Sequence, residues 1–414
     1  MRESILSHLD DAAYLEALYR KNKSEFKETF KALYPAIENN NAARFWHERL
    51  NYESNSIAWG TLSDLIFVVI ATLLAGFVAK MPDLFSISDE FFFPRNIGFI
   101  VFPFLTAFFI WKNNVNIKTV GILAASLVGS LIFINLLPDN QDSDTLFLAC
   151  IHLPIFLWML LGVAFSGNEL GNFRQRLEYL RFNGDGIVMI GILAIACGLV
   201  TAITFGLFEL IGINIEPFFE NYLIVFGLPA VPIVATFLTY INPQLVNKVS
   251  PIIAKLFSPV VLVMLLVYLG AIIYSGKDPY NDREFLLLFN SLLIGVMALI
   301  FFSVAEGSTQ KMLGIDFWVI FLLSMVTILV NGIALSAILF RIAEWGFTPN
   351  RLAVLGSNVL MLVHLLMIAF HLYKTITKNS EKLAIGKAIV MYIPVYLVWV
   401  AIVLFLFPFI FDFQ

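Results

Sequence analysis

Residues 317–340 read FWVIFLLSMVTILVNGIALSAILF, twenty-four consecutive positions without Asp, Glu, Lys or Arg. Wound as an α-helix at about 1.5 Å per residue, such a run crosses the roughly 30 Å of hydrocarbon in a bilayer. A strand of a membrane barrel would instead alternate in ten-residue segments, and this run does not.

Runs of the same kind recur on both sides, separated by short polar punctuation. They predict spans at about 57–79, 97–111, 119–137, 145–165, 187–212, 222–241, 257–275, 285–305, 317–340, 352–373 and 388–411. The 414 residues are 59% hydrophobic and 14% charged, where a soluble domain carries about 25% charged residues. The expected fold is all-α, a polytopic transmembrane helical bundle of about eleven spans with a short N-terminal cytosolic helical region. Forty-one Phe suit lipid-facing and helix-packing surfaces that need no hydrogen-bond partner. Cys150 and Cys197 each lie in an apolar run and read as small buried hydrophobes.

Two domains are expected, 1–56 and 57–414. In the first, Ile5, Leu9, Ala12, Ala13, Leu15, Leu18 and Tyr19 mark one amphipathic stretch. A second passes through Phe26, Phe30, Leu33 and Tyr34 and is expected to stop at Pro35; a third follows Asn39–Asn41 and carries Phe45, Trp46 and Leu50. About fifty residues bury little core alone, so packing on the membrane domain, in a homo-oligomer or on a cytosolic protein is expected. No pattern of a cleaved signal peptide precedes the first span, which reads as an uncleaved anchor.

Lys and Arg near the span ends set orientation, because cytoplasmic loops hold the excess. With the N-terminus inside, fourteen fall on the inner side, Arg174, Arg181, Lys255 and Lys374 among them, against six outside. An odd number of spans then puts the C-terminus outside. A parallel repeat, 187–275 on 317–411, is suggested by a shift of 135 residues that lays Ala202, Phe205, Glu209 and Pro259 on Ala337, Phe340, Glu344 and Pro394.

Polar groups stranded among apolar ones are the candidates for function. Glu209 is one, near the outer end of the fifth span. His364, His371 and Ser357 share one helical stripe, and the two imidazoles, two turns apart, suit proton transfer better than a shared metal ion. Asn290 and Asn331 are amides within spans, which usually join helices by hydrogen bonds. Pro229 and Pro232 predict a kink or an unwound stretch whose carbonyls would line an ion pathway. Asp64 and His152 read as an interfacial carboxylate and a packed histidine. Arg341 and Glu344, three residues apart, share a face and are expected to pair; with Arg351 they form an outer-face motif able to attract an ion or a headgroup.

Catalytic signatures are missing: no GxxxxGK[ST], GxGxxG, HExxH, GxSxG or CxxC occurs. No enzymatic activity, cofactor or metal is therefore expected, and the basic residues before position 44 are balanced by acids, which argues against nucleic acid.

The run Arg341-Ile-Ala-Glu-Trp-Gly-Phe-Thr-Pro-Asn-Arg351 resembles a signature of the bacterial multi-pass proteins grouped as domain of unknown function 4153. There an Arg-Ile start, an aromatic-Gly pair and a Thr-Pro-Asn-Arg end recur between two late spans. Leu73-Leu-Ala-Gly-Phe-Val-Ala-Lys-Met-Pro82 is similar to the close of that family's first span. The likeness covers about residues 60–410 and implies the fold class and the bacterial inner membrane, with no reaction and no catalytic residues. Span number, repeat and intramembrane polar groups together point to a transporter or channel-like permease surrounded by membrane lipids. The alternative is a membrane-embedded sensor or regulator that recruits a partner through its N-terminal helices. An intramembrane lipid enzyme would need clustered carboxylates, and these look scattered.

Overall fold

The computed structural model describes residues 1–51, 59–210, 213–246, 249–275, 280, 283–307, 314–378 and 383–414. The chain divides into two compact units, Met1–Ala58 and Trp59–Gln414.

The first unit holds α1 (Arg2–Ser7), α2 (Ala12–Lys21), α3 (Lys23–Ile37) and α4 (Asn41–Asn51). The stripe expected to run from Ile5 to Tyr19 is cut in two, because the Asp11 carboxylate accepts from the N–H groups of Ala13 and Tyr14 and so starts a new helix. Asn22 caps α3 in the same way, and Asn40 accepts from Ala42 and Ala43 at the start of α4. Pro35 does not stop α3, which continues to Ile37. A proline so near the end leaves few turns beyond it to disrupt, so its missing hydrogen bond and its crowding of the Lys31 carbonyl are tolerated. Ile5, Leu15, Phe26, Phe30, Leu33, Ala43, Trp46 and Leu50 close a core inside this unit, more than its length leads one to expect.

The second unit comprises α5 (Leu62–Phe85), α6 (Asp89–Asn96), α7 (Phe102–Lys112), α8 (Ile117–Leu136), α9 (Asp144–Ser166), α10 (Phe173–Leu210), α11 (Glu216–Phe218), α12 (Val225–Ile241), α13 (Val249–Ser275), α14 (Arg283–Gly307), α15 (Gly314–Trp345), α16 (Pro349–Lys378), α17 (Leu383–Ala401) and α18 (Phe407–Ile410). Among the described residues, eleven helical segments are long and apolar enough to cross a membrane, one for each run read from the sequence. This is a multi-pass, all-helical membrane protein.

Three elements depart from the sequence reading. The second segment extends over Asp89–Lys112, because α6 and a 3-10 turn at Ile97–Ile100 precede α7. Arg95, counted as a loop cation, is 2% exposed. Its guanidinium reaches Asp139 at 3.0 Å and the Phe91 carbonyl at 3.2 Å. The fifth segment begins at Phe173, well before residue 187, so Arg174–Asp185 is helix and not loop. Pro229 and Pro232 lie inside α12, which stays helical through both. The irregularity comes earlier, as a π-helix over Phe219–Ile224. A proline ring crowds the carbonyl four residues before it, here that of Val225, and widening the preceding turn relieves the clash. The second π-helix, Ile402–Leu406, contains the carbonyl that Pro408 crowds, that of Leu404.

Two apolar centres hold the unit together. One joins α5, α7, α8, α9 and α12, with Leu123, Leu153, Leu157 and Leu404 fully packed. The other joins α10 with α13 to α17 through Phe289, Ile300, Leu323, Val330, Leu365, Ile368 and Ile389. The early helix α10 belongs to this second centre and carries charged residues into it.

Candidate functional site

Glu178, Arg181 and Asp185 follow one another at three and four residues, so the extended helix α10 presents them on one face. The chain allows a close neighbour there: a methyl group at Gly184 would collide with the Phe302 ring of α14. That close packing brings α14 within reach of the charges. Arg181 Nε donates to Glu306 Oε1 at 3.0 Å and Arg181 Nη1 lies 3.4 Å from Glu178. The Glu306 side chain is 3% exposed and that of Arg181 15%. Asp185, 5% exposed, has Ser250 of α13 and the Arg181 charge as polar neighbours.

Beside this cluster lies a cavity of about 270 Å³ between α13, α14 and α15. From α13 it is lined by Pro251, Ala254, Lys255, Ser258 and Pro259, from α14 by Ser303, Glu306 and Gly307, and from α15 by Ile315, Asp316, Val319 and Ile320. The Ser258 and Ser303 hydroxyls bond at 3.0 Å across the α13–α14 seam. Lys255 stands 3.7 Å from Asp316. Among the described residues the carboxylates Glu178, Asp185, Glu306 and Asp316 share this region with the cations Arg181 and Lys255. Carboxylates in so low a dielectric favour uptake of a cation or a proton.

A second polar group sits deeper, near the middle of α16. His364 is fully buried, with Nδ1 3.1 Å from the Tyr396 hydroxyl. Its ring lies against Phe301 at 4.9 Å and Tyr392 at 4.5 Å between centroids. Asn331 Nδ2 donates to the Asn358 carbonyl at 3.2 Å. Asn331 Oδ1, both amide atoms of Asn358, Asn290 Oδ1 and His364 Nε2 are buried without a hydrogen-bond partner among the described residues.

The remaining candidates are placed separately. His371 is half-buried with its ring edge on Phe370, and His364 takes its partner from α17 instead. Ser357 accepts from Trp399 Nε1 at 3.1 Å. Pro229 and Pro232 lie on α12 and line neither this cavity nor a smaller one of about 140 Å³ beside Trp158, Arg176 and Tyr179. The Glu209 side chain falls outside the described residues. Asp64 is a buried capping residue of α5 paired with Lys112 of α7. His152 Nδ1 lies 2.8 Å from the Leu148 carbonyl.

The Arg341–Arg351 motif is a helix corner. Gly346, at φ +78°, ends α15 with its N–H on the Ile342 carbonyl. Arg351 Nη1 then caps the Trp345 and Gly346 carbonyls at 2.8 Å each, while the Thr348 hydroxyl accepts from the Arg351 N–H at 3.3 Å. The expected pair of Arg341 with Glu344 does not form. Arg341 Nε instead donates to the Tyr280 carbonyl at 2.8 Å, and Glu344 points outward, exposed. Both guanidiniums lie over the exposed Trp345 ring, at 5.6 and 5.7 Å.

The ionised cluster is what the sequence reading lacks. Arg181 enters it only as a topogenic charge and Glu306 does not enter it. The available signal was the helical spacing of Glu178, Arg181 and Asp185, which becomes visible once α10 is extended backwards. Compared with protein-family models, with curated proteins and with solved structures, the chain returns no match.

Proposed function

We propose that the membrane unit is a permease for small solutes that pair a cationic group with an apolar body, and that the cavity between α13, α14 and α15 is its binding site. The observation that carries this reading is Glu306, a carboxylate 3% exposed in the wall of a cavity that joins an apolar lining of Pro251, Ala254, Pro259, Ile315, Val319 and Ile320 to the polar Lys255, Ser258, Ser303 and Asp316. Small-molecule sites have this composition, a mostly apolar lining with a few placed polar groups. A charge held in such a place costs several kcal/mol unless it is compensated, and in membrane proteins that expense falls at pathways. A mid-depth cavity beside Glu209, Asn331 or His364 would have been the simpler arrangement. The cavity lies instead at the ends of three helices, beside Lys255, which the excess of basic residues assigns to the cytoplasmic face. The likeness of the 341–351 corner to the domain of unknown function 4153 family supports a bacterial inner membrane.

A second reading, regulation through the N-terminal unit, rests on Phe45, 66% exposed on a unit whose own core is already closed.

The permease reading is tested with Val319→Cys and Ser258→Cys in a background in which Cys150 and Cys197 are alanine. In oriented vesicles, aminoethyl methanethiosulfonate is expected to label both sites from the cytoplasmic face at least about tenfold faster than the sulfonatoethyl reagent. Benzyltrimethylammonium should protect both. Equal rates, or no reaction from either face, would refute the reading.

A further inference from the structure

The smaller cavity, about 140 Å³, lies where α9, α10 and α17 meet. It sits on the seam between the two apolar centres, since Trp158 packs against both. Its lining is divided by polarity. Trp158, Met159, Val163, Ile393, Pro394 and Leu397 form an apolar wall, while Ser166 and Arg176 stand at the end near the α9–α10 loop. The wall keeps its polar atoms occupied within the protein. The Tyr179 hydroxyl donates to the Trp158 carbonyl at 2.6 Å, and Trp158 Nε1 donates to Asn183 Oδ1 at 2.9 Å. A methyl group at Gly162 would strike the Tyr179 ring, so α9 and α10 close the floor. Leu170 and Pro394 at the rim are exposed, and the groove opens there to its surroundings.

The polar end is cationic. Arg176 Nε and Nη2 donate to the Leu170 carbonyl at 2.8 and 2.5 Å, which fixes the guanidinium plane and leaves three of its five N–H groups for a ligand. Phe173, three residues earlier on the same side of α10, gathers two more cations. Arg174 of α10 and Lys387 of α17, both exposed, lie 6.0 and 5.9 Å from the centre of its ring. The carboxylates nearest in sequence are turned elsewhere, Glu169 to the Asn172 amide and Glu178 to Arg181. Among the described residues none of the three cations is drawn into an ion pair. Arg174 and Arg176 also stand in the first turn of α10, where the helix dipole is already positive, so an anion there relieves both.

We propose that this groove holds one anionic phospholipid from the leaflet that the basic excess assigns to the cytoplasm. Its phosphodiester is bound by the free edge of the Arg176 guanidinium, a fork that suits phosphate oxygens. Arg174 and Lys387 add to the attraction, as basic pockets between membrane helices do for acidic headgroups. One acyl chain runs along Trp158, Val163, Ile393 and Leu397, where an apolar wall with no polar atom to spare suits hydrocarbon and repels a polar solute. A zwitterionic choline lipid carries its own cation into the same field and binds less well. Seated on the seam, the lipid ties α9 of the first apolar centre to α10 and α17 of the second. The proposal does not depend on the permease reading.

The test uses the full chain, delipidated in dodecyl maltoside and offered phosphatidylglycerol or phosphatidylcholine, with bound lipid counted by native mass spectrometry. Wild type should retain one phosphatidylglycerol with a preference of at least about tenfold over phosphatidylcholine. Lys387→Gln and Arg174→Gln alter exposed side chains and leave the fold intact; each should lower that preference about fivefold, and Arg176→Gln should lower it at least as much. Phosphatidylglycerol with a diazirine on one acyl chain should label the peptides that hold Trp158–Val163 and Ile393–Leu397. The lipid should also raise the thermal unfolding midpoint, because it binds the folded state alone. Equal retention of the two lipids, a preference unmoved in all three variants, or labelling confined to other helices overturns the proposal. Inorganic phosphate that raises the midpoint as much as phosphatidylglycerol overturns it too, by making the ligand a free anion.

Discussion

Replacing Arg181 with Gln asks whether the ionised cluster is held together as described. The substitution removes the only described cation bonded to Glu306 and leaves two carboxylates, Glu306 at 3% exposure and Asp185 at 5%, buried beside each other. Breaking a buried pair by deleting one partner costs about 3–5 kcal/mol, because the surviving charge stays desolvated. Lys255 does not replace the lost charge, since its side chain is 46% exposed and already turned to Asp316. Glu306→Gln alone should cost less, about 1–2 kcal/mol, since Arg181 keeps Glu178 within 3.4 Å. In Arg181→Gln/Glu306→Gln the two amides can bond to each other, and the double variant should recover about 1–3 kcal/mol relative to the sum of the singles. Unfolding by titration with sodium dodecyl sulfate, followed by tryptophan fluorescence, measures all four species. An Arg181→Gln protein within about 0.5 kcal/mol of wild type, or a double variant equal to the sum, would show that the pair is not buried as drawn.

Gly356 lies where the Trp399 indole crosses α16, and a methyl group there would collide with the ring. Gly356→Ala should destabilise the membrane unit by about 1–3 kcal/mol, read in the same titration, and should also weaken the Trp399–Ser357 hydrogen bond. In the first unit, the hydrogen bond from Arg20 holds the Glu16 carboxyl below its ordinary range, with the Arg49 charge adding to it. Stability from a lowered carboxylate is present above its unfolded value and is lost as pH falls through the folded one. The protection of the Trp46 amide, taken relative to its intrinsic exchange, should accordingly fall as the pH drops through the ordinary carboxylate range and below it, and Glu16→Gln should remove that dependence.

The spans were legible because their signal is additive: some twenty apolar residues in a row outweigh any local ambiguity. What escaped reading came from single residues whose meaning depends on a partner. Arg95 looks like a loop cation until Asp139 and the Phe91 carbonyl are brought to it. Pro35, Pro229 and Pro232 look like breaks, yet the helices absorb them at a last turn or through a π-turn. His364 stood out correctly as a buried polar residue, but its companion was taken from the same stripe, His371, when packing supplies Tyr396 from α17. Arg341 and Glu344 had the spacing of a pair, but the corner at Gly346 engages the two arginines otherwise. Spacing along one helix is visible in a sequence; the residue that a neighbouring helix contributes is not.

Depth orders the polar groups by cost. The ionised ones, Arg181, Glu306, Lys255 and Asp316, lie toward the ends of α10, α14, α13 and α15 and border a cavity. Those near the middle of α15 and α16, Asn331, Asn358 and His364, are uncharged or can become so. Among the described residues a fixed charge at the depth of His364 would meet the rings of Phe301, Tyr392 and Tyr396 and the Ala388 and Ile389 backbone, none of which carries an opposite charge, whereas a histidine there can be neutral. An arginine at position 364 would bring a permanent cation to the same place without that option. His364→Arg should therefore fail to assemble as a monodisperse protein in detergent, while His364→Gln should fold normally. A His364→Arg protein that assembles like wild type would mean that the ring does not lie in a dry, uncompensated place.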